Sequence, residues 1–437
     1  MILSGVVYYY RGGNLKNWYK LDNAAKLFSN VASRKNSSVF RIAVVMQEEV
    51  DGSILQKAVD HIYARFPMFF TRMRSGVFWN YMDELGHSFK VVEESGYPCG
   101  MIDAKNNNGY MLKILYYYKR ISFEAFHSLT DGSGAVEFVK TLVYYYLCFM
   151  GKAISPENKI LLAEDGVSLD ESEDSYSKYC EGLPGKTEKN KNSYKITGTS
   201  FSLHGNNITT GIMSAQALNG LAKAHGTTIT PYLAAVLVQS IYQSRIKPGN
   251  NKSIVVAIPV NLRNLFPSKT MRNFSCVVNL DYNPAKGMDL ADIIGDLTAR
   301  LKEKTKKQCL QRNISNNVRY EQNIAVKFVP LFVKRVFIRF CFDMLGENKK
   351  TITLSNVGNI TTPADMSPHI KYFEATLYPT QKRPLSCAVC SVDDKLSINF
   401  SRTIVEPDII RRFFSFFANE AGLDVVLYSN DWGIKNE

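Results

Sequence analysis

The sequence predicts an α/β protein made of two halves of similar size, each a mixed β-sheet flanked by helices. Three observations carry this expectation. Strand-like alternation, as in Ser38 to Gln47, and helix-like spacing, as in Asp51 to Arg65, follow one another in both halves without a short-period repeat. The 437 residues are long for a single core. Between about Leu162 and Tyr194 the chain turns sharply charged, with Glu164, Asp165, Asp170, Glu171, Glu173 and Asp174, then Lys186, Lys189 and Lys191, broken by Gly182, Pro184 and Gly185. Such a stretch buries little apolar area and reads as a solvated linker. The expected division is therefore a first unit over 1–163, a charged crossover over 164–195 and a second unit over 196–437.

Taken in order, 15–32 reads as a short helix entered at Asp22, whose carboxylate caps free N–H groups. Ser38 to Gln47 reads as a strand, and Asp51 to Arg65 as an amphipathic helix that stops before Pro67. Strands are expected near 69–82, 110–118 and Arg120 to Phe126, with an apolar helix from about Gly134 to Met150. In the second half, strands are expected near Thr197 to His204 and Thr209 to Met213. Ser214 caps a helix, and Thr230-Pro231 opens a longer one, with proline in the tolerated first turn. Strands at Ser253 to Val260 and Phe274 to Tyr282 precede a basic helix from Leu290 to Gln311 and an apolar, Lys- and Arg-punctuated segment from Asn323 to Leu345. A strand at Thr351 to Leu354 leads into the turn Ser355-Asn-Val-Gly358, strands follow near 370–378, 385–392 and 395–403, and Pro407 starts a last amphipathic helix.

Apolar residues make up 45% and charged residues 21%, the balance of a globular chain rather than a disordered one. The net charge of +13 suits a polyphosphate-bearing ligand, an anionic surface or nucleic acid, but no zinc-finger, RNA-recognition or helix-turn-helix pattern accompanies it. Eight cysteines are scattered among apolar neighbours, unlike a disulfide framework, and predict reduced thiols in a cytoplasmic protein. Cys387-Ala-Val-Cys390 falls in an expected strand, where residues three apart face opposite sides, so no metal is expected there. Gly182-Leu-Pro-Gly-Lys-Thr187 has Cys180 where a phosphate loop needs its first glycine. The first residues lack the basic region of a signal peptide, and no run of eighteen uncharged apolar residues occurs.

One junction organises the chemistry: the strand Arg120 to Phe126 breaks at His127-Ser-Leu-Thr-Asp131-Gly132 and runs into a helix. Of six histidines only His127 sits in such a place. Near neutral pH an imidazole serves as a general base, and the start of a helix disfavours its charged form. No Gly-x-Ser-x-Gly, His-Glu-x-x-His or Gly-x-Gly-x-x-Gly competes with it.

His127, Asp131 and Gly132 resemble the active-site motif of the superfamily that contains chloramphenicol acetyltransferase, alcohol O-acetyltransferases, wax ester synthases and condensation domains. Ala58 to Phe69, the Pro259-Val-Asn-Leu-Arg263 segment and Leu354-Ser-Asn-Val-Gly358 are similar to further stretches of its members. The tandem second histidine of condensation domains is replaced by Phe126, and the plant signature Asp-Phe-Gly-Trp-Gly is absent, which places the resemblance with alcohol acetyltransferases. The resemblance implies two chloramphenicol-acetyltransferase-like subdomains with an active-site channel at their interface. It implies direct acyl transfer from an acyl-CoA to an alcohol-type acceptor, with His127 as base and no acyl-enzyme or metal. Asp131 is a second catalytic candidate, although the resemblance implies an ion pair with Arg263, with Arg65 as the other partner considered; a plain helix cap is compatible with either. Gly132 is expected to allow close packing or a positive φ, and Ser355 or Asn356 to donate to the oxyanion. Lys302, Lys304, Lys306, Lys307 and Arg383 are candidates to steer coenzyme A phosphates. The segment Phe328 to Leu345 is either a core helix with basic tips or a peripheral contact with an anionic membrane that would suit a lipid-like acceptor. A carrier-protein-borne donor and a non-catalytic, ligand-binding member of the fold are the alternative readings.

Overall fold

The computed structural model describes residues 6–11, 14–33, 36–181, 185, 192–201, 205–244, 252–284, 287, 289–323 and 327–430. In chain order they form β1 (Val6–Arg11), β2 (Asn14–Lys20), α1 (Asn23–Val31), β3 (Val39–Met46), α2 (Gly52–Ile62), β4 (Thr71–Ser75), β5 (Asn80–Glu84), β6 (Val92–Glu93), β7 (Leu112–Tyr117), β8 (Arg120–Phe126), α3 (Gly132–Phe149) and α4 (Ser175–Lys178). There follow β9 (Asn207–Ser214), α5 (Ala215–Ala224), α6 (Ile229–Gln243), β10 (Ile254–Asn261), β11 (Ser275–Tyr282), α7 (Leu290–Lys304), α8 (Lys307–Gln322) and α9 (Leu331–Cys341). The chain ends with β12 (Ile352–Asn359), β13 (Ile370–Leu377), β14 (Leu385–Val392), β15 (Lys395–Arg402), α10 (Asp408–Ser415) and β16 (Val426–Ser429).

The larger sheet has the order β11-β10-β12-β14-β15-β9-β16, with β10, β12 and β14 parallel and the remaining neighbours antiparallel. A second sheet runs β13-β3-β8-β7-β6, and a four-stranded sheet β1-β2-β5-β4 stands beside it. Helices cover the sheets because their apolar residues recur once per turn: Leu55, Ala58, Val59 and Ile62 of α2 are all buried. Two apolar cores result, one under α2 and α3, the other under α6, α7 and α10.

The division into halves is not a clean cut between 163 and 196. Strand β13, from the second half, completes the sheet of the first, pairing antiparallel with β3 in the register Phe373↔Val44. Its Phe373, together with Met271, Ile360 and Met366, belongs to the first core. The acidic crossover is exposed over most of 164–170 but packs from Glu171 to Tyr176: Arg65 binds Glu171 at 2.7 and 2.9 Å, the Met271 N–H donates to the Glu171 carbonyl, and Tyr176 is buried. Charge density is a poor guide here because Glu171 and Glu164 meet partners from other elements, Arg65 and the Tyr145 hydroxyl. Gly182 to Pro184 and Lys186 to Thr187, the phosphate-loop-like stretch, and Lys189, Lys191 and His204 lie outside the described residues.

Other differences have local causes. Residues 14–20 form a strand between β1 and β5 rather than helix, since a long-range ladder overrides local spacing, while Asp22 does cap α1 through the Ala25 N–H at 2.7 Å. The described part of 197–204 is extended chain with a single bridge, Ser200 to Ile404. The expected basic helix breaks at Thr305 and Lys306 into α7 and α8. Ser355 to Gly358 is not a turn but the end of β12, bulged between Asn356 and Gly358, where the glycine adopts φ +90°.

In the first core Phe138 of α3 stacks on Phe69 at 4.8 Å and meets Phe66 at 5.1 Å and Phe123 at 5.0 Å. Phe138→Ala is expected to destabilise this lobe by about 3–5 kcal/mol, read as a lowered urea midpoint, with Phe138→Leu losing distinctly less.

Candidate active site

The junction after β8 is built by its own sequence. The His127 N–H donates to the Ser38 carbonyl at 2.8 Å, holding the strand end beside β3. Asp131 caps α3 by accepting from the Ser133 and Gly134 N–H groups, so the helix starts at Gly132. Gly132 itself needs no special freedom: a Cβ there would meet only Val357, at 3.9 Å. The close approach falls at Gly134, where a Cβ would collide with the Met271 carbonyl and the Thr130 hydroxyl.

The Asp131 carboxylate is fully occupied. Arg263 clamps it with two bonds, Nη1 to Oδ2 at 2.8 Å and Nη2 to Oδ1 at 3.1 Å, and the Phe274 N–H donates to Oδ2 at 2.8 Å. Arg263 also reaches the carbonyls of Thr270 at 3.0 Å and Arg272 at 2.6 Å. Five donors thus converge on the two carboxylate oxygens of Asp131, the arrangement expected of a residue that anchors the turn. Arg65 is no partner of Asp131, being paired with Glu171.

His127 is held by groups that come together only in the fold. Its ring stacks on Phe28 at 4.3 Å and tilts against Phe40 at 4.8 Å. Its Nδ1 lies 3.0 Å from the Asn273 amide oxygen, and the Asn273 Nδ2 donates to the Asp22 carboxylate at 3.4 Å. Asp22 also lies 3.5 Å from Arg272. Burial raises the Asp22 carboxyl to about 6, with Arg272 opposing, so it is ionised at neutral pH and only accepts hydrogen bonds. The Asn273 amide is thereby oriented with its oxygen toward His127. The imidazole then carries its proton on Nδ1 and keeps the Nε2 lone pair. Burial holds the His127 pKa below its ordinary 6.5, against the opposing charge of Asp131; burial, not the helix terminus, is the leading cause. Nothing local in the sequence marks Asn273 as a site residue, and Asp22 carries only the signal of a helix cap.

His127 borders a cavity of about 900 Å³ between the two halves. The first half supplies Leu27, Phe28, Phe40 and Ile42; the second supplies Lys304, Arg312, Lys350 and Arg383. Lys302, Lys306 and Lys307 are not in its wall, and Lys306 pairs with Glu303. Arg383 is tied to Glu347 at 2.7 Å and to the Thr353 hydroxyl. Burial, with Arg383 beside it, pulls the Lys350 ammonium down to about 8. Ser355 and Asn356 both line the cavity, but the Asn356 amide donates to Thr230 at 3.0 Å and accepts from the Gly358 N–H at 2.9 Å. Among the described residues no cluster of His, Cys, Asp and Glu has the arrangement of a metal site.

A family model described as alcohol acetyltransferase matches residues 158–412, beginning after the His127 motif. No curated protein sequence matches the chain. Among solved structures it is similar to polyketide synthase associated protein 5 of Mycobacterium tuberculosis, with 15% identity, 95% of this chain and 98% of that one covered, and a TM-score of 0.55. It is similar to TRI101 of Fusarium sporotrichioides, solved with coenzyme A and T-2, at 11% identity, 93% and 99% coverage and a TM-score of 0.59. The starter condensation domain of rhizomide synthetase, solved with C8-CoA, matches at 13% identity, 91% and 94% coverage and a TM-score of 0.57. The fold is thus the two-lobed, chloramphenicol-acetyltransferase-like one.

Removing the charge of Asp131 leaves a largely buried guanidinium unpaired. Asp131→Asn is expected to cost about 3–5 kcal/mol of stability, seen as a lowered melting temperature. Arg263→Leu combined with it should cost less than the sum of the two single changes, which a double-mutant cycle measures.

Proposed function

Because the chain belongs to the alcohol acetyltransferase family, we propose that it moves an acyl group from an acyl-CoA thioester to an alcohol hydroxyl, with His127 as general base and without a covalent acyl-enzyme. The observation that carries the reading is His127 itself: a neutral imidazole, one nitrogen tied to Asn273, at the wall of a cavity to which Leu27, Phe28, Phe40 and Ile42 add apolar surface and Lys304, Arg312, Lys350 and Arg383 add basic groups.

In the proposed reaction the acceptor hydroxyl donates to His127 Nε2. As its oxygen attacks the thioester carbonyl carbon, the proton passes to the imidazole and the carbonyl electrons collect on oxygen. Ser355 and Asn356, both in the cavity wall, are the candidates to donate to this oxyanion, Asn356 through the Nδ2 hydrogen that Thr230 does not take. Collapse breaks the carbon–sulfur bond, and the departing thiolate takes the proton from His127, giving ester and free thiol. Asn273 holds the ring in the tautomer that this requires. Leu27, Phe28, Phe40 and Ile42 suit an apolar acceptor, and Lys304, Arg312, Lys350 and Arg383 suit the phosphates of coenzyme A. Ligands in two of the similar structures support a coenzyme A donor: coenzyme A with T-2 in TRI101, and C8-CoA in the rhizomide condensation domain.

Thiol release from a panel of acyl-CoAs, with and without short and long alcohols, tests the reading. His127→Ala is expected to lower turnover by about 10²–10⁴-fold or more with the fold intact; unchanged turnover overturns the base role, and turnover only from an acylated carrier protein overturns the donor. Asn273→Ala should lower kcat by about tenfold to a hundredfold with little change in KM. Since His127 titrates below 6.5, kcat/KM should be level through neutrality and fall only below that value. Lys350 loses its charge above about 8, so KM for the acyl-CoA should rise there while kcat stays level.

A further inference from the structure

Helix α9 is turned inside out. A surface helix normally lays its apolar stripe on the core and its charges in water. Here Lys334 is 4% exposed, whereas Phe332 and Val336 are each 72% exposed and Phe337 is 67%. At 100° per residue, Phe332, Val333, Val336, Phe337 and Phe340 fall on one face, all of them exposed, and Arg335 and Arg339 run along one edge of that face. The inversion is built in. Lys334 Nζ sits 3.8 Å over the Trp79 ring and donates to the Phe78 and Lys327 carbonyls, both at 3.1 Å, which with the buried Leu331 beside it pins the inner face of the helix to the β4–β5 hairpin. The same hairpin turns Val77 and Phe78 outward, with Phe78 edge-on to the exposed Phe328 and the Val77 carbonyl accepting from the Leu331 N–H at 2.9 Å. Two elements far apart in sequence thus present apolar side chains to solvent on one side of the molecule.

We propose that this face seats the protein on a lipid bilayer with anionic head groups. Exposed phenylalanines standing clear of the surface suit entry into the acyl boundary rather than a shaped protein groove. From Lys327 to Phe342 the described side chains include no acidic one, while Lys327, Arg335 and Arg339 supply positive charge, in a chain of net charge +13. No helix among the described residues is long and apolar enough to cross a membrane, so the helix lies on it. The seat adjoins the cavity: Arg339 donates to the Asn30 carbonyl at the end of α1, and Phe342, Leu27 and Phe28 line the cavity wall. An apolar acceptor dissolved in the bilayer would enter there, a clause that rests on the proposed acyl transfer; the docking does not.

The test is co-sedimentation of the full chain with vesicles of phosphatidylcholine, with and without about 30% phosphatidylserine. The wild type is expected to sediment with the anionic vesicles and to come off as salt rises. The triple variant Phe332→Ser, Val336→Ser, Phe337→Ser should partition at least about tenfold less. Val77→Ser, a single change on the hairpin, should lose less. Near-UV circular dichroism checks the fold, and thiol release with a water-soluble alcohol should stay at the wild-type level, separating loss of docking from loss of chemistry. A wild type that stays in the supernatant with both vesicle types, or a correctly folded triple variant that binds as the wild type does, overturns the proposal. So does a wild-type dimer that the triple variant converts to monomer, since a second copy would then cover the face.

Discussion

The ion pair between Asp131 and Arg263 is the contact on which the arrangement at the interface depends. It is bidentate and largely withdrawn from water, and it joins the first turn of α3 to the loop between β10 and β11. Burying two charges is unfavourable unless their remaining valences are met. Here they are met by the Ser133, Gly134 and Phe274 N–H groups and by the carbonyls of Thr270 and Arg272. The backbone around His127 on one side and Asn273 on the other is thereby fixed at once. The imidazole and the amide that orients it are brought to hydrogen-bonding distance by a residue that touches neither of their polar atoms.

The site's electrostatics follow from this placement. His127 is flanked by Phe28 and Phe40, so its charged form is disfavoured, and the nearby Asp131 charge is too committed to its own partners to reverse that. Across the cavity the basic groups are braced by Glu347, which holds Arg383 and lies near Lys350. A lysine ammonium brought near neutrality and an arginine kept charged give the second half a positive wall whose strength varies with pH.

How much of this was legible in the sequence depends on how local its cause is. The His127 junction, the cap by Asp131 and the α2 stripe could be read because strand, turn and helix spacing fix them within a few residues. Arg263 was found through the Pro259-Val-Asn-Leu-Arg263 resemblance, not through any periodicity. Asn273 could not be found by local reading, since it lies 146 residues from His127 and acquires its role only through packing; the one hint is an amide next to the apolar run that starts at Phe274. Helix α9 was ambiguous for a different reason. Periodicity shows that a helix has an apolar face but not which way that face is turned, and a buried lysine whose donors are met by carbonyls has no sequence signature.

Strand β13 carries a consequence for how the chain is made. The edge of β3 that it covers has backbone donors and acceptors available for pairing from the moment residues 39–46 leave the ribosome, yet its partner, Ile370–Leu377, is synthesised late. Through most of translation the first sheet stands with that edge unprotected, open to other extended chains. Vectorial synthesis therefore completes the first half's sheet only when the second half is nearly finished.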